Sequence, residues 1–171
     1  MEIKSHKTKK KCLENKKQNL YQTSMEILII FTVTTATIVN MLTDIQYRII
    51  RNEICILIAV LFIPYALLSI ESSEYLIRLM VAGIAFCFGY FFWTKSWVGA
   101  GDVKYLSSIL LWVPSDLVSG FFALMAASSL LVTLFIIAKF FLRKEQEKPT
   151  IPYAVPITLS YLSILIKQLY F

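Results

Sequence analysis

The chain has 171 residues, of which 57% are hydrophobic and only 16% are charged. Soluble globular domains have about 45–50% apolar and about 25% charged residues, so this composition excludes most classes of soluble enzyme. The net charge of +6 lies almost wholly in residues 1–24, and the remaining residues carry only +1. Because no basic face is left to follow a phosphate backbone, we expect no nucleic-acid partner.

Histidine and cysteine are too sparse for the common catalytic and metal sites. The single histidine, His6, lies among the lysines of the N-terminal segment, so a Ser–His–Asp triad or a His-ligated zinc site is excluded elsewhere. Cys12, Cys55 and Cys87 form no CxxC pair, and we expect no metal, no cofactor and no disulfide. Any chemistry must come from carboxylates, hydroxyls, amines or the backbone.

Apolar segments of membrane-spanning length dominate the chain. A helix needs about 20 apolar residues to cross a hydrocarbon core of about 30 Å. The sequence therefore predicts an all-α, polytopic membrane helix bundle with about six transmembrane helices: Ile27–Thr43, Ile54–Ile70, Tyr75–Trp93, Val103–Val113, Leu117–Leu142 and Ile151–Phe171. The fourth is short and needs other helices to shield it. Pro64, Pro152 and Pro156 are predicted to kink or break their helices.

The N-terminal segment differs from everything that follows it. We expect residues 1–24 to be a disordered, lysine-rich tail and residues 25–171 to be one membrane-embedded domain. The odd-numbered loops of that domain are basic and the even-numbered loops acidic, which predicts cytoplasmic odd loops and an external N-terminus. The lysines of the tail contradict this orientation. Either the tail reverses the topology, or the true start of the protein is Met25.

Two aspartates border predicted spans on the same side of the membrane. Taken alone, Asp44 is a boundary carboxylate one helical turn from Arg48, and Asp102 is the N-cap of the fourth span. Two of the five glycines, Gly99 and Gly101, lie just before Asp102. Glycine permits unusual backbone angles and the close approach of a neighbouring backbone. A capping aspartate needs neither, so this frame indicates a functional carboxylate.

Two carboxylates that face each other can act together as an acid and a base. The two groups share one proton, because both cannot ionise comfortably at short range. The charged group can take a proton from water, and the neutral group can donate one to a scissile carbonyl. The pair therefore suits peptide hydrolysis without metal or histidine. Which aspartate carries the proton stays open.

The motifs around the two aspartates resemble those of a known family. Residues 99–104, Gly-Ala-Gly-Asp-Val-Lys, resemble the GxGDxK signature of the type IV prepilin peptidases, which are membrane aspartic proteases. Asp44 followed by Asn52 resembles the family's second motif, an aspartate followed by Ile-Pro-Asn, although Arg51 stands where proline is usual. Residues 151–156 resemble the proline-bearing last helix, so the resemblance covers about residues 27–165.

The resemblance implies an aspartic-type endopeptidase of pilus biogenesis. Such an enzyme removes the basic leader peptide from pilin or pseudopilin precursors, typically after a glycine, at the cytoplasmic face of the cell membrane. Its partners are prepilin-like substrates with a basic leader and an apolar helix, together with the lipid bilayer. The implied catalytic residues are Asp44 and Asp102, and the motif-supporting residues are Gly99, Gly101, Lys104 and Asn52. Because the paired CxxC motifs of larger members are missing, residues 25–171 resemble a short, peptidase-only domain.

Several interpretations stay open beside this one. A presenilin-like protease, which cleaves within membrane spans, shares the GxGD motif, and a small proton-coupled transporter can use the same two aspartates as proton sites. Lys104 either holds part of the site or only extends to the membrane surface. An aromatic cluster before the glycines forms either an interfacial belt or a lining for the substrate's apolar helix; its members are Tyr90, Phe91, Phe92, Trp93 and Trp97.

Overall fold

The computed structural model describes residues 2–69, 72–143 and 152–170. Within these ranges the chain forms six α-helices and one short 3₁₀ turn, Ser115–Leu117, and no strand. This confirms the predicted all-α fold. The helices are α1 (Glu2–Tyr47), α2 (Asn52–Ser69), α3 (Ser72–Thr94), α4 (Ala100–Leu110), α5 (Val118–Arg143) and α6 (Ala154–Tyr170).

Four segments of the described chain are long and apolar enough to cross a membrane: Tyr21–Tyr47, Asn52–Ser69, Ser73–Thr94 and Ser115–Lys139. The other two helices are shorter. With 11 and 17 residues, α4 and α6 extend about 16 Å and about 25 Å at about 1.5 Å per residue. All six predicted spans correspond to helices, but α6 as well as α4 is shorter than a full hydrocarbon crossing.

Two of the three helix-breaking prolines lie at the start of α6. Pro152 precedes the helix and Pro156 lies in its first turn. An N–H group at these positions has no partner within the helix, so proline costs no hydrogen bond there. The expected break at these two residues is therefore not seen. Pro64 lies inside α2, which continues through it, so a break is not seen there and a kink stays a prediction.

The lysine-rich segment is continuous with α1. In the structure α1 begins at Glu2, and the division of the chain into a tail of residues 1–24 and one membrane-embedded domain stays a prediction. The segment contains neither glycine nor proline, and its many Lys, Glu and Gln residues are good helix formers. That Met25 is the true start stays a prediction.

Short helix α4 lies inside the bundle, where it packs against α2, α3 and α6. Tyr105, Ile109 and Leu110 of α4 are fully buried. The longer helices instead expose large apolar side chains, as Leu67 of α2 and Phe135 of α5 show. The expectation that other helices shield the short fourth one is confirmed.

The carboxylate of Glu74 joins the start of α3 to the turn that follows α4. Glu74 accepts hydrogen bonds from the backbone N–H of Ser115 at 2.9 Å and from the Ser115 hydroxyl at 2.7 Å. It also accepts one from Nε of the buried Arg78 at 3.0 Å. The start of α3 therefore lies beside the turn that follows α4, and the second and fourth connections share one end.

Candidate active site

Asp44 lies in the last turn of α1, where its side chain is 6% exposed. The helix stops four residues later at Arg48, whose φ of 56° is in the left-handed region and whose N–H donates to the Asp44 carbonyl at 3.0 Å. A left-handed residue at this position is a common way to end a helix. The end of α1 is thus fixed next to its aspartate.

The carboxylate of Asp44 reaches another helix. Its Oδ2 accepts a hydrogen bond of 3.1 Å from the backbone N–H of Ala154, the first residue of α6. The first four N–H groups of a helix have no partner within that helix. Asp44 supplies such a partner from α1, so the end of α1 and the start of α6 are directly joined.

A tight turn ends α3 just before the glycine-rich segment. Ser96 has a φ of 58°, and its N–H donates to the carbonyl of Trp93 at 2.8 Å. The next N–H, of Trp97, donates to the carbonyl of Phe92 at 3.1 Å. The Trp97 ring also stacks on Phe92, with ring centres 5.7 Å apart. This is a Schellman motif with its usual apolar contact, and it sets the direction in which the chain approaches α4.

Asp102 lies in the first turn of α4. Gly99 is the N-cap, in extended conformation, and Asp102 is the third residue of the helix. Its carboxylate interacts favourably with the backbone N–H of Gly99, as an acidic residue does at this position of a capping box. Gly99, and not Asp102, is therefore the N-cap of α4.

The two glycines provide room and do not supply unusual backbone angles. Among the residues that the structure describes, no glycine has a positive φ, so that part of the expectation is wrong. A Cβ at Gly99 would lie 2.8 Å from Oδ2 of Asp102, and a Cβ at Gly101 would lie 3.0 Å from Cβ of Ile50. The close neighbours of both glycines are therefore side chains, and not the backbone that we expected. A larger residue at 99 would displace the carboxylate itself.

These helix ends bring the two predicted aspartates together. Asp44 is buried and Asp102 half-buried, and they are close enough for the charge of Asp44 to act on Asp102. One carboxylate comes from the end of α1 and the other from the start of α4. Two carboxylates that interact in this way repel each other when both are ionised.

Lys104 and Asn52, the remaining residues of the two motifs, contact each other. Nζ of Lys104 donates to Oδ1 of Asn52 at 3.2 Å, and both side chains are exposed. Asn52 is the first residue of α2, so the contact joins α2 to α4. Whether Lys104 also holds part of the site stays a prediction.

Arg51, which departs from the family motif, makes a hydrogen bond that proline cannot make. Its backbone N–H donates to Oδ1 of Asn40 at 3.2 Å, and proline has no N–H. Asn40 is fully buried and lies one turn before Asp44 in α1. Our sequence reasoning missed Asn40, although a polar amide within an apolar span is a signal of a specific role. It also missed Ala154, whose contribution comes from its backbone.

An apolar groove leads to Asp102. It has a volume of about 540 Å³ and is formed by residues of α3, α4, α5 and α6 together with Val98 and Tyr153. Its apolar lining includes Phe88, Phe92, Val103, Leu106, Phe122 and Met125. Of the aromatic cluster, Phe92 lines this groove, whereas Tyr90 and Trp93 line a smaller cavity beside Lys104. In the part of the chain that the structure describes, no group of three or more His, Cys, Asp or Glu residues is arranged to hold a metal ion.

One comparison with known proteins gives a match. The model of a family described as the type IV leader peptidase family matches residues 29–139, more than half of the chain. The matched range contains both aspartates and both motifs, and it ends before α6. No curated protein and no solved structure matches the chain significantly.

Proposed function

The chain belongs to the type IV leader peptidase family, and from this we propose that it is an aspartic endopeptidase that cleaves the basic leader from prepilin-like precursors. The observation that supports the proposal best is the meeting of Asp44 and Asp102 at one end of the bundle, within electrostatic reach of each other. Four segments of membrane-spanning length indicate a multi-pass membrane protein. The reaction is then carried out at the membrane by two carboxylates.

The proposed mechanism uses one ionised and one protonated aspartate. The ionised carboxylate takes a proton from a water held between the two groups, and the water oxygen attacks the scissile carbonyl carbon. The protonated carboxyl donates its proton to the carbonyl oxygen. Collapse of the tetrahedral intermediate breaks the C–N bond, and the departing amine receives a proton from the pair. The proton belongs to the pair, so neither aspartate is assigned a fixed role.

The groove beside Asp102 supports a substrate with an apolar helix. Its lining is almost wholly apolar, and Asp102 is the acidic residue on its wall. A substrate helix lying between α3 and α5 would present its polar end to the carboxylates. A prepilin-like precursor has that arrangement, since its leader is basic and the segment after the cleavage site is apolar.

We place the site at the cytoplasmic face of the cell membrane. Both aspartates lie at the end where the first and third loops connect the helices. Those loops carry Arg48, Arg51 and Lys95, whereas the opposite end carries Glu74 and Asp116. Basic loops favour the cytoplasmic side.

Co-expression with a candidate prepilin tests the proposal. We expect a mobility shift of the precursor with the wild-type chain, and no shift with Asp44→Asn or Asp102→Asn, because each substitution removes an ionisable member of the pair. Asp116→Asn is the matched control, since Asp116 is an exposed aspartate at the opposite end. Cleavage that survives either substitution in the pair would overturn the proposal. Proton flux that depends on both aspartates, without cleavage, would instead support the transporter.

A further inference from the structure

Tyr105 occupies the place where α1, α4 and α6 meet. Its side chain is fully buried, and its hydroxyl lies 2.7 Å from Oγ1 of Thr158 in α6. The same hydroxyl lies 3.4 Å from the backbone carbonyl of Thr37 in α1. Thr158 and Thr37 are also fully buried. A phenylalanine would fill nearly the same volume but would make neither of these hydrogen bonds.

The hydrogen bonds around Tyr105 form a chain with one direction. Thr158 donates its hydroxyl proton to the carbonyl of Ala154 at 2.8 Å, which leaves Oγ1 of Thr158 as the nearer of two acceptors for the one proton of Tyr105, the other being the carbonyl of Thr37. The N–H of Ala154 in turn donates to Oδ2 of Asp44. The chain of contacts thus begins in α4, passes through the first turn of α6 and ends at a carboxylate of α1.

The contact between Tyr105 and Thr158 lies one helical turn away from the carboxylates. Tyr105 follows Asp102 by three residues in α4, and Thr158 follows Ala154 by four residues in α6. Residues at these spacings are neighbours on one helix face. The hydroxyl contact therefore joins α4 to α6 one turn from the residues that carry Asp102 and hold Asp44.

We propose that Tyr105 is a positioning residue that holds Asp102 in register with Asp44 through Thr158. The proposal rests on the proposed function, since it assigns Tyr105 a role in the two-aspartate reaction. Tyr105 and Thr158 are not among the residues that line the groove beside Asp102. Loss of their contact should therefore affect the chemical step and leave substrate binding unchanged.

Steady-state cleavage by the purified full-length chain separates these effects. We expect Tyr105→Phe to lower kcat about 10- to 100-fold with KM unchanged, because small misplacements of a catalytic group cost this much. Thr158→Val should lower kcat to the same extent, again with KM unchanged. Thr158→Ser, which keeps the hydroxyl, should have the wild-type kcat. The double variant Tyr105→Phe with Thr158→Val should be no slower than either single variant, since all three lack the same hydrogen bond.

Tyr161→Phe provides a matched control. Tyr161 of α6 is buried like Tyr105, and its hydroxyl lies within interaction range of a threonine side chain, Thr34 of α1. It lies two turns beyond Ala154. We expect this variant to keep the wild-type kcat. The proposal is overturned if Tyr105→Phe behaves like Tyr161→Phe, or if the effects of the Tyr105 and Thr158 substitutions multiply.

A distance measurement tests the positioning without any cleavage. Spin labels at Tyr47 and Lys104 report the separation of α1 and α4 at this end of the bundle, once the native cysteines are replaced. We expect Tyr105→Phe to shift or broaden the distance distribution and Tyr161→Phe to leave it unchanged. Unchanged distances in both variants would refute the positioning role. Failure of the wild-type chain to cleave any prepilin would refute the proposed function alone.

Discussion

The carboxylate of Asp44 and the backbone N–H of Ala154 are joined by a hydrogen bond of 3.1 Å, although 110 residues separate them in the chain. The bond connects the end of α1 to the start of α6. A helix N-terminus offers unpaired N–H groups and the positive end of the helix dipole, which orient a carboxylate. The last helix therefore helps to hold one member of the proposed catalytic pair.

Replacing Ala154 with proline removes this donor. Proline is well tolerated at the first position of a helix, so Ala154→Pro deletes the N–H while α6 can still form. We expect kcat for precursor cleavage to fall about 10- to 100-fold, because Asp44 is no longer held in position. Circular dichroism should show unchanged helix content. Ala154→Gly, which keeps the N–H, should lie much closer to the wild type; equal losses in the two variants would contradict this explanation.

Replacing Gly99 with alanine tests the need for space beside Asp102. The added Cβ would lie 2.8 Å from Oδ2 of Asp102, so the carboxylate must move. We expect cleavage to slow at least about tenfold while thermal stability changes little. Gly83→Ala is the control, since no neighbouring side chain lies within 4 Å of the point that its Cβ would occupy and alanine favours the interior of α3. Normal cleavage by Gly99→Ala would refute the spatial role of this glycine.

Gly89 of α3 lies directly against Val103 of α4. A Cβ at this residue would lie 2.6 Å from Cγ1 of Val103, and the branched valine side chain cannot easily turn away. We expect Gly89→Ala to destabilise the folded protein by about 1–3 kcal/mol through overpacking. Thermal unfolding in detergent measures the change. The double variant with Val103→Ala should recover much of the stability, and no recovery would show that another contact is responsible.

We expect the hydrogen bond between Lys104 and Asn52 to stabilise the folded protein only when both side chains are present. A single hydrogen bond of this kind is worth about 0.5–1.5 kcal/mol. We expect Lys104→Met and Asn52→Ala each to lower the free energy of unfolding by this amount, and the double variant to lower it no further. Additive losses would mean that the two side chains act independently. Cleavage rates of the same variants would show whether Lys104 also acts in the reaction.

Local features of the sequence predicted the elements of this fold. Apolar segments and their lengths indicated an all-α bundle, because the hydropathy of a helix is carried by its own residues. The length of its apolar run predicts the short fourth helix, and the cost of carboxylates at a membrane border, together with the glycines before Asp102, indicates Asp44 and Asp102. The start of α6 was less predictable, since Pro152 and Pro156 are compatible with either breaking a helix or beginning one.

The tertiary structure decided which groups meet. Ala154 contributes a backbone N–H, which no side-chain pattern can reveal, and Tyr105 reaches Thr158 across 53 residues of sequence. The need for space at Gly99 follows only from where the Asp102 carboxylate lies relative to the Gly99 backbone. Such pairings depend on how helices cross in space. The sequence by itself therefore determined the helices and the identity of the proposed carboxylate pair, whereas only the packing of α1, α4 and α6 decided what holds that pair in place.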